Sequence, residues 1–290
     1  MMTTTSMVKA ADSRELCADS NGLHEGKPIF VMHGSPGSRI MNYLSLDDPI
    51  LSRFRLISYD RPGYGRSSAM PGRTVADCAE DVRAIADALE LTRFAVLGIS
   101  AGGPHALAAA ALLPERVVAA ATLCCAGPPK EASFDPDDGR TLESIARRQL
   151  VRDDPTTYRS GLEEQRDFYL AATPEQVEAV HAVLISEAPF PLSYLFCTLE
   201  RVKEGYATGI EGEWEDAQAT SAPWGFALGS IKVPVQMWHG MVDSNVPYEH
   251  TEWIATQITG SELHITSADN HLSLTYNHMS DAIAWLGAHF

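Results

Sequence analysis

The sequence lacks the long apolar runs that membrane insertion requires. No stretch of its 290 residues approaches the roughly 18 apolar residues of a membrane-spanning helix, since even the alanine-rich run from Ala106 is weakly apolar and ends at Pro114. The N-terminal stretch MMTTTSMVKAADSRE also lacks the apolar centre of a secretory signal. We therefore expect no membrane association, and we predict that residues 1–12 form a flexible tail.

Basic residues are scarce, and cysteines are few and unpatterned. The chain has 22 Lys and Arg against 38 Asp and Glu, a net charge of −16, which argues against nucleic acid and anionic membranes as partners. Its 5 cysteines show no C-x-x-C spacing, so we predict reduced, buried thiols in a cytoplasmic protein, with no metal site. These cysteines are Cys17, Cys78, Cys124, Cys125 and Cys197.

Short apolar strands alternate with helical patterns, which predicts an α/β fold with a mostly parallel sheet covered on both faces. Each strand ends in a glycine turn, and open α/β sheets place their sites at these carboxyl ends. The strands that show this are PIFVMHG at 28–34, RLISYDRPGYG at 55–65, RFAVLG at 93–98 and VPVQMWHG at 233–240.

The alternation stops after the strand-like RVVAAATLCCAG at 116–127. From there the chain is acidic, punctuated by prolines and helical in periodicity, and strands resume only near residue 232. We therefore predict a helical cap over residues 128–226, inserted into a core formed by 13–127 and 227–290.

The sequence GISAG at 98–102 lies where an apolar strand passes into a helical pattern. G-x-S-x-G in that context predicts a nucleophile elbow. Gly98 and Gly102 would let strand and helix approach closely, while the tight turn would strain the backbone of Ser100 and expose its hydroxyl. Ser100 is therefore the candidate nucleophile.

A serine hydroxyl needs a base, and the base needs an orienting acid. Asp243 follows the strand of WHGMVDSNVP and His271 follows the strand of ITSADNHLSL, which gives the chain order Ser, Asp, His. Asp269 is close to His271 in sequence, but a separation of two residues does not direct its carboxylate at the imidazole. The remaining candidate bases lie in strand or helix patterns or in His-Gly pairs at strand ends: His33, His239, His264 and His278.

Acyl transfer also needs hydrogen-bond donors for the developing oxyanion. In HGSPGS, His33 and Gly34 make the turn after the first parallel strand, and the backbone N–H of Ser35 would face the elbow. The second donor would be the backbone N–H of Ala101. We predict an oxyanion hole from these two N–H groups.

The motifs HGSPG, YDRPGYGRS, GISAGG, HGMVD and NH, in this order, resemble the α/β-hydrolase fold superfamily, in its capped branch of serine esterases and proline iminopeptidases. The resemblance covers the chain after about residue 13. It implies an eight-stranded, mostly parallel sheet, a helical cap inserted after the sixth strand, no cofactor, and a catalytic triad of Ser100, Asp243 and His271.

Departures from the superfamily pattern are small. Asn270 replaces the usual glycine before the histidine, and Ser35 replaces the second glycine of an HGGPG loop. Some relatives carry the acid after the sixth strand, where this sequence has Cys124 and Cys125, so Asp243 has no rival there.

The resemblance implies a serine hydrolase acting on a small molecule through an acyl-enzyme. We expect a carboxylic ester hydrolase, an esterase or lactonase, with a small to medium apolar substrate. A proline iminopeptidase-type aminopeptidase is one alternative. A C–C bond hydrolase, a cyanohydrin lyase or a non-catalytic ligand-binding homologue is another. The aminopeptidase would use cap acids to hold an α-ammonium group, with the candidates Glu163, Glu164, Glu200 and Glu204.

Overall fold

The computed structural model describes residues 3–40, 49–128 and 133–290. Its eight-stranded sheet has the order β1-β2-β4-β3-β5-β6-β7-β8. β2 is antiparallel to both of its neighbours, and the strands from β4 to β8 are parallel. The bounds are β1 Thr4–Lys9, β2 Glu15–Gly22, β3 Lys27–Met32, β4 Phe54–Tyr59, β5 Phe94–Ile99, β6 Val117–Leu123, β7 Val235–Gly240 and β8 Glu262–Thr266. The predicted α/β architecture is confirmed.

The N-terminal residues correct the predicted flexible tail of residues 1–12. Thr4–Lys9 forms the edge strand β1 and pairs antiparallel with Ser20 through Glu15. Only Val8 of this strand is fully buried, so the segment carries little apolar signal. Its threonines favour extended backbone, and an edge strand exposes one side to solvent, which accounts for a polar strand.

Ten α-helices accompany the sheet in the described ranges, and two short 3₁₀ turns lie at Pro49–Ser52 and Leu228–Ser230. None of these helices combines the length and the apolar character needed to cross a bilayer. The bounds are α1 Cys78–Ala88, α2 Gly102–Leu112, α3 Leu142–Asp153, α4 Pro155–Ala171, α5 Pro174–Val180, α6 Ala182–Glu187, α7 Leu192–Gly205, α8 Glu211–Ser221, α9 Glu249–Gln257 and α10 His271–Gly287.

The two faces of the sheet bury separate apolar cores. Phe30 and Met32 of β3 belong to a cluster with α1, α2 and α9, whereas Ile29 and Val31 belong to one with α7 and α10. Because successive side chains of a strand point to opposite faces, β3 serves both cores at once. Burial on both faces explains why this strand reads as an uninterrupted apolar run.

Helix α1 begins later than its sequence pattern suggests. Thr74 and Asp77 have the spacing of a capping box, but α1 starts at Cys78. The Asp77 carboxylate accepts hydrogen bonds from both the backbone N–H and the hydroxyl of Thr74, at 2.6 and 2.8 Å. The threonine therefore donates instead of capping the helix, and a turn precedes α1.

Helices α3 to α8 lie between β6 and β7 and are called the cap helices here. A third apolar cluster lies among them and includes Tyr158, Leu162 and Trp214. Buried charge joins them to the core, since Arg61, which follows β4, pairs with Asp216 of α8 at 2.5 Å. The boundaries 128 and 226 stay a prediction.

Candidate active site

Ser100 occupies the turn between β5 and α2, with a φ of 53°. A Cβ at Gly98 would lie 2.3 Å from the carbonyl oxygen of Gly102, and one at Gly102 would lie 2.2 Å from that of Met32. Neither approach is compatible with a side chain. The two glycines therefore permit the close strand–helix contact that keeps Ser100 in a left-handed backbone conformation.

The Ser100 side chain opens into a cavity of about 520 Å³ that is also lined by Ser35, Ala101 and His271. A Cβ at Gly34 would lie 3.4 Å from Ser100 Cβ and 3.9 Å from its Oγ, so glycine leaves room in front of the hydroxyl. Within the described part of the chain, Ser100 Oγ has no protein hydrogen-bond partner. The hydroxyl therefore faces the cavity without competition from the protein.

Asp243 and His271 are joined by a hydrogen bond of 2.7 Å between Nδ1 and Oδ2. The carboxylate can only accept, so Nδ1 carries the proton and Nε2 is left as the basic atom. Burial alone would raise the pKa of Asp243, but the His271 imidazole and hydrogen bonds from His239 and His271 hold it well below 3.8. Burial likewise opposes a charged His271, yet Asp243 raises its pKa above 6.5.

The turn after β7 supplies the other hydrogen bonds of Asp243. Its Oδ1 accepts from the backbone N–H groups of Asn245 and Val246, both at 2.9 Å. The side chain is 0% exposed, so these bonds fix the carboxylate where water does not reach it. The local sequence DSNV thus forms a turn around its own aspartate.

His239, which belongs to a strand-end His-Gly pair, is a second histidine on the same carboxylate. Its Nε2 lies 3.2 Å from Asp243 Oδ2 and 2.8 Å from the carbonyl oxygen of Val246. Both neighbours are acceptors, so Nε2 carries a proton and donates to them. Nδ1 lies 2.6 Å from the Thr251 hydroxyl. Sequence reasoning missed this contact, and the four-residue spacing in HGMVD is the signal that could have identified it.

Cys124, at the carboxyl end of β6, belongs to the same buried group. Potential ligand atoms of Cys124, His239 and Asp243 lie within 4.8 Å of one another, which is the spacing a metal would need. The histidine and aspartate atoms are already hydrogen-bonded to each other and to His271. Burial, together with Asp243, raises the pKa of the Cys124 thiol well above 9.0, which disfavours the thiolate that a metal requires. This group is better described as a hydrogen-bonded support for the aspartate.

The two predicted oxyanion donors line the Ser100 cavity. Within the described residues, neither the backbone N–H of Ser35 nor that of Ala101 has a protein acceptor. The Ser35 hydroxyl lies 2.6 Å from that of Tyr64, which donates to the Asp216 carboxylate at 2.9 Å. Tyr64 has thus used its proton, so Ser35 donates its hydroxyl proton to Tyr64. The donor that Ser35 can offer to the cavity is its backbone N–H.

His33 holds the loop that carries Ser35. Its Nδ1 donates to the carbonyl oxygen of Gly34 at 2.7 Å, and its Nε2 accepts the backbone N–H of Arg61 at 3.2 Å. Burial and the charge of Arg61 hold the pKa of His33 well below 6.5, so the ring is neutral and has this tautomer. His33 therefore supports the loop and is not a base.

The four cap glutamates suggested as ammonium ligands do not line the cavity. Glu163, Glu164 and Glu200 are exposed, and Glu204 pairs with Arg39 at 2.5 Å. The cap glutamate that does line the cavity is Glu213 of α8. Helical periodicity alone does not single it out, because the face of α8 that meets the cavity is set by tertiary packing.

Glu213 is buried among donors. The Tyr206 hydroxyl donates to its Oε2, and Gln165 Nε2 lies 3.2 Å from each oxygen. Arg147 Nη2 is farther away, at 3.5 Å. Burial raises the pKa of Glu213 above 4.5, although Tyr206 and Arg147 oppose the shift. The carboxyl group is therefore largely satisfied by neighbouring side chains.

Sequence and structure comparisons agree on the fold. The family described as alpha/beta hydrolase fold matches residues 27–277. An esterase from Exiguobacterium antarcticum superimposes with a TM-score of 0.73 at 19% identity, over 98% of this chain and 99% of that one. The enol-lactonase from Burkholderia xenovorans LB400 superimposes with a TM-score of 0.63 at 19% identity, over 98% and 97%.

Sequence relatives align over shorter segments. A proline iminopeptidase of Xylella fastidiosa is 34% identical over 113 residues, which cover 35% of this chain and 36% of the relative. The 3-oxoadipate enol-lactonase 1 of Acinetobacter baylyi is 31% identical over 101 residues, 35% and 38% of the two chains. The alignments thus span little more than a third of these relatives.

The fold and the extent of the family match define a class. The chain belongs to the α/β-hydrolase fold family, as its motifs predicted. The catalytic roles of Ser100, Asp243 and His271, and of the Ser35 and Ala101 N–H groups, stay predictions from the sequence, for which the geometry above supplies the physical basis.

Proposed function

We propose that this protein is a serine hydrolase that cleaves carboxylic esters through an acyl-enzyme. The observation that carries the proposal is the 2.7 Å hydrogen bond from His271 to the buried Asp243, in a cavity shared with the strained turn of Ser100. It leaves an imidazole nitrogen free to accept a proton and a hydroxyl free to attack. Esterases and an enol-lactonase among the fold's neighbours are consistent with such chemistry.

In the proposed reaction, Ser100 Oγ attacks the ester carbonyl carbon while His271 Nε2 takes the hydroxyl proton. The backbone N–H groups of Ser35 and Ala101 stabilise the resulting oxyanion. The C–O bond to the alcohol then breaks, and His271 returns the proton to the leaving alcohol. Water, deprotonated by the same nitrogen, attacks the acyl-enzyme and releases the acid and Ser100.

Asp243 acts on the imidazole and not on the substrate. Its carboxylate accepts the Nδ1 proton of His271, which fixes the tautomer that presents Nε2 as the base. The imidazolium formed during attack is stabilised by the same contact. The four donors around Asp243 keep it ionised throughout.

A cavity of about 520 Å³ suits a small to medium substrate. Tyr169 and Leu184 supply part of an apolar wall, but Arg147 and Glu213 also face the same space. The cavity is thus more polar than the predicted apolar ester requires.

An aminopeptidase of the proline iminopeptidase type is the second candidate, favoured by the aligned Xylella relative. Such an enzyme needs a carboxylate available to a substrate ammonium group. Glu213 is the cap carboxylate best placed for this, but Tyr206 and Gln165 already donate to it. This contact pattern gives the aminopeptidase less support than the esterase.

The two candidates separate in one kinetic comparison. We would measure kcat/KM for p-nitrophenyl butyrate and for prolyl p-nitroanilide, with Ser100→Ala as the blank and Ser230→Ala, at an exposed serine, as the matched control. A dominant ester rate that is lost in Ser100→Ala and kept in Ser230→Ala supports the proposal. A dominant prolyl-amide rate would favour the aminopeptidase, and ester turnover surviving in Ser100→Ala would reject a serine mechanism.

A further inference from the structure

The cap contributes a cation to the cavity that holds Ser100. Arg147 of α3 lines this cavity, and no other lysine or arginine among the described residues does so. Its side chain is 50% exposed, so it reaches the cavity while remaining accessible. A smaller recess of about 210 Å³ adjoins Ser100 on the other side and is lined by Arg201. Both spaces next to the candidate nucleophile therefore contain a guanidinium group.

Arg147 is oriented by its neighbours. Its Nη2 donates to Gln165 Oε1 at 2.8 Å, and its Cζ lies 5.9 Å from the centre of the Tyr158 ring. Both partners come from α4 and also line the cavity. The guanidinium is thus held at the cavity wall by two side chains of one helix, which reduces the entropy lost when it binds a ligand.

Glu213 neutralises this guanidinium only in part. Its Oε1 lies 3.5 Å from Arg147 Nη2, longer than the roughly 2.7–2.9 Å of a strong charge-assisted hydrogen bond. Tyr206 and Gln165 take up the carboxyl oxygens. Burial also raises the pKa of Glu213, which weakens its negative charge near neutral pH. Arg147 therefore retains the capacity to bind another anion.

The charges beneath the cavity add to this effect. Asp216 lines the cavity floor and pairs with two guanidinium groups, those of Arg61 at 2.5 Å and Arg73 at 2.6 Å. Burial and the nearby Arg61 keep the pKa of His105 at about 3 and that of His33 well below 6.5, so neither ring is charged at neutral pH. One carboxylate and two guanidiniums leave a positive balance here, in a chain whose net charge is −16.

We propose that the natural substrate is an ester that also carries a carboxylate, and that the guanidinium of Arg147 binds this carboxylate while Ser100 attacks the ester. A planar guanidinium can donate two parallel hydrogen bonds to a carboxylate, which fixes the direction of a short substrate in the cavity. Half-esters of short dicarboxylic acids have this chemistry. The proposal rests on the ester hydrolase function proposed above.

The test compares two esters of similar shape, 4-nitrophenyl hydrogen glutarate with a terminal carboxylate and 4-nitrophenyl pentanoate without one. We expect kcat/KM of the wild-type protein to favour the glutarate, and Arg147→Gln to reduce the glutarate-to-pentanoate ratio by roughly 10- to 100-fold, the value of a hydrogen bond to a charged group. Arg147→Lys should keep part of the preference. Arg152→Gln, with the same charge change on an exposed position of α3, should leave the ratio unchanged.

Because the ratio is measured within one protein, a partly unfolded variant changes both rates together and leaves the ratio readable. A wild-type preference for pentanoate, or a ratio that is the same in Arg147→Gln as in the wild type, would overturn the carboxylate site. That result would leave the ester hydrolase intact as long as Ser100→Ala abolishes both rates. Rates that persist in Ser100→Ala would instead reject the proposed function itself.

Discussion

His239 Nε2 lies 3.2 Å from Asp243 Oδ2, the same oxygen that accepts the His271 Nδ1 proton at 2.7 Å. Two imidazoles thus share one carboxylate oxygen, while Oδ1 accepts two backbone N–H groups of the following turn. Each additional donor stabilises the anion and lowers its basicity toward His271. His239 therefore acts on the candidate base through the aspartate, as a positioning residue.

His239→Phe removes this donor while roughly keeping the ring's size. We expect kcat/KM to fall about tenfold and its acid limb to move to higher pH, because the less solvated carboxylate holds the His271 proton more tightly. His239→Gln, which restores an N–H donor, should recover part of both effects. The pH dependence of ester hydrolysis measures this. A lower rate with an unmoved acid limb in His239→Phe would mean that His239 has a structural role alone.

The raised pKa of His271 sets the pH dependence of the wild-type protein. Asp243 favours the protonated imidazole, so the group loses its proton above the ordinary 6.5, and kcat/KM should rise with pH through a midpoint above that value. Asp243→Asn should lower the midpoint and reduce kcat by about 10⁴, because the imidazole loses its orienting partner. A wild-type midpoint below 6.5 would contradict the ion-pair description.

The elbow glycines should tolerate no side chain. An added Cβ at Gly98 meets a backbone oxygen at 2.3 Å, so Gly98→Ala should abolish activity and destabilise the fold by several kcal/mol, of the order of about 1–3 for overpacking or more. Gly161→Ala, in the exposed helix α4, meets nothing within 4 Å and should stabilise the protein by up to about 1 kcal/mol. Urea denaturation compares the two. An active Gly98→Ala protein would disprove the tight turn.

The buried ion pair between core and cap should matter more than surface pairs. Arg61→Met leaves Asp216 with one fewer guanidinium in a site without solvent, and we expect a loss of about 3–5 kcal/mol in the free energy of unfolding. Arg83→Gln breaks an exposed pair with Glu80 and should cost less than about 1 kcal/mol. Equal losses in the two variants would show that the Arg61–Asp216 contact does not hold the cap helices to the core.

The features that can be predicted from the sequence are those whose cause is local. Gly98 and Gly102 are needed for backbone contacts that begin within five residues, and the parallel strands are apolar because both of their faces are buried. The strand pattern and the glycine spacing therefore suffice to place the motifs at the strand ends.

The features that sequence reasoning missed depend on contacts between distant segments. Arg61 and Asp216 are 155 residues apart, and no periodicity links them. Whether a cap glutamate faces solvent or cavity depends on how its helix packs, so the sequence pointed to Glu163 and Glu164, whereas Glu213 lines the cavity. The edge strand β1 was missed because pairing with β2, and not an apolar pattern, keeps it extended.

The central claim is that Ser100 is a nucleophile activated through His271. Its most direct test is labelling with a fluorophosphonate, followed by mass spectrometry of the intact protein and of its peptides. We predict one adduct per chain, on the peptide that contains Ser100, with labelling lost in Ser100→Ala and strongly slowed in Asp243→Asn. An unlabelled wild-type protein, or an adduct at another residue, would contradict the account.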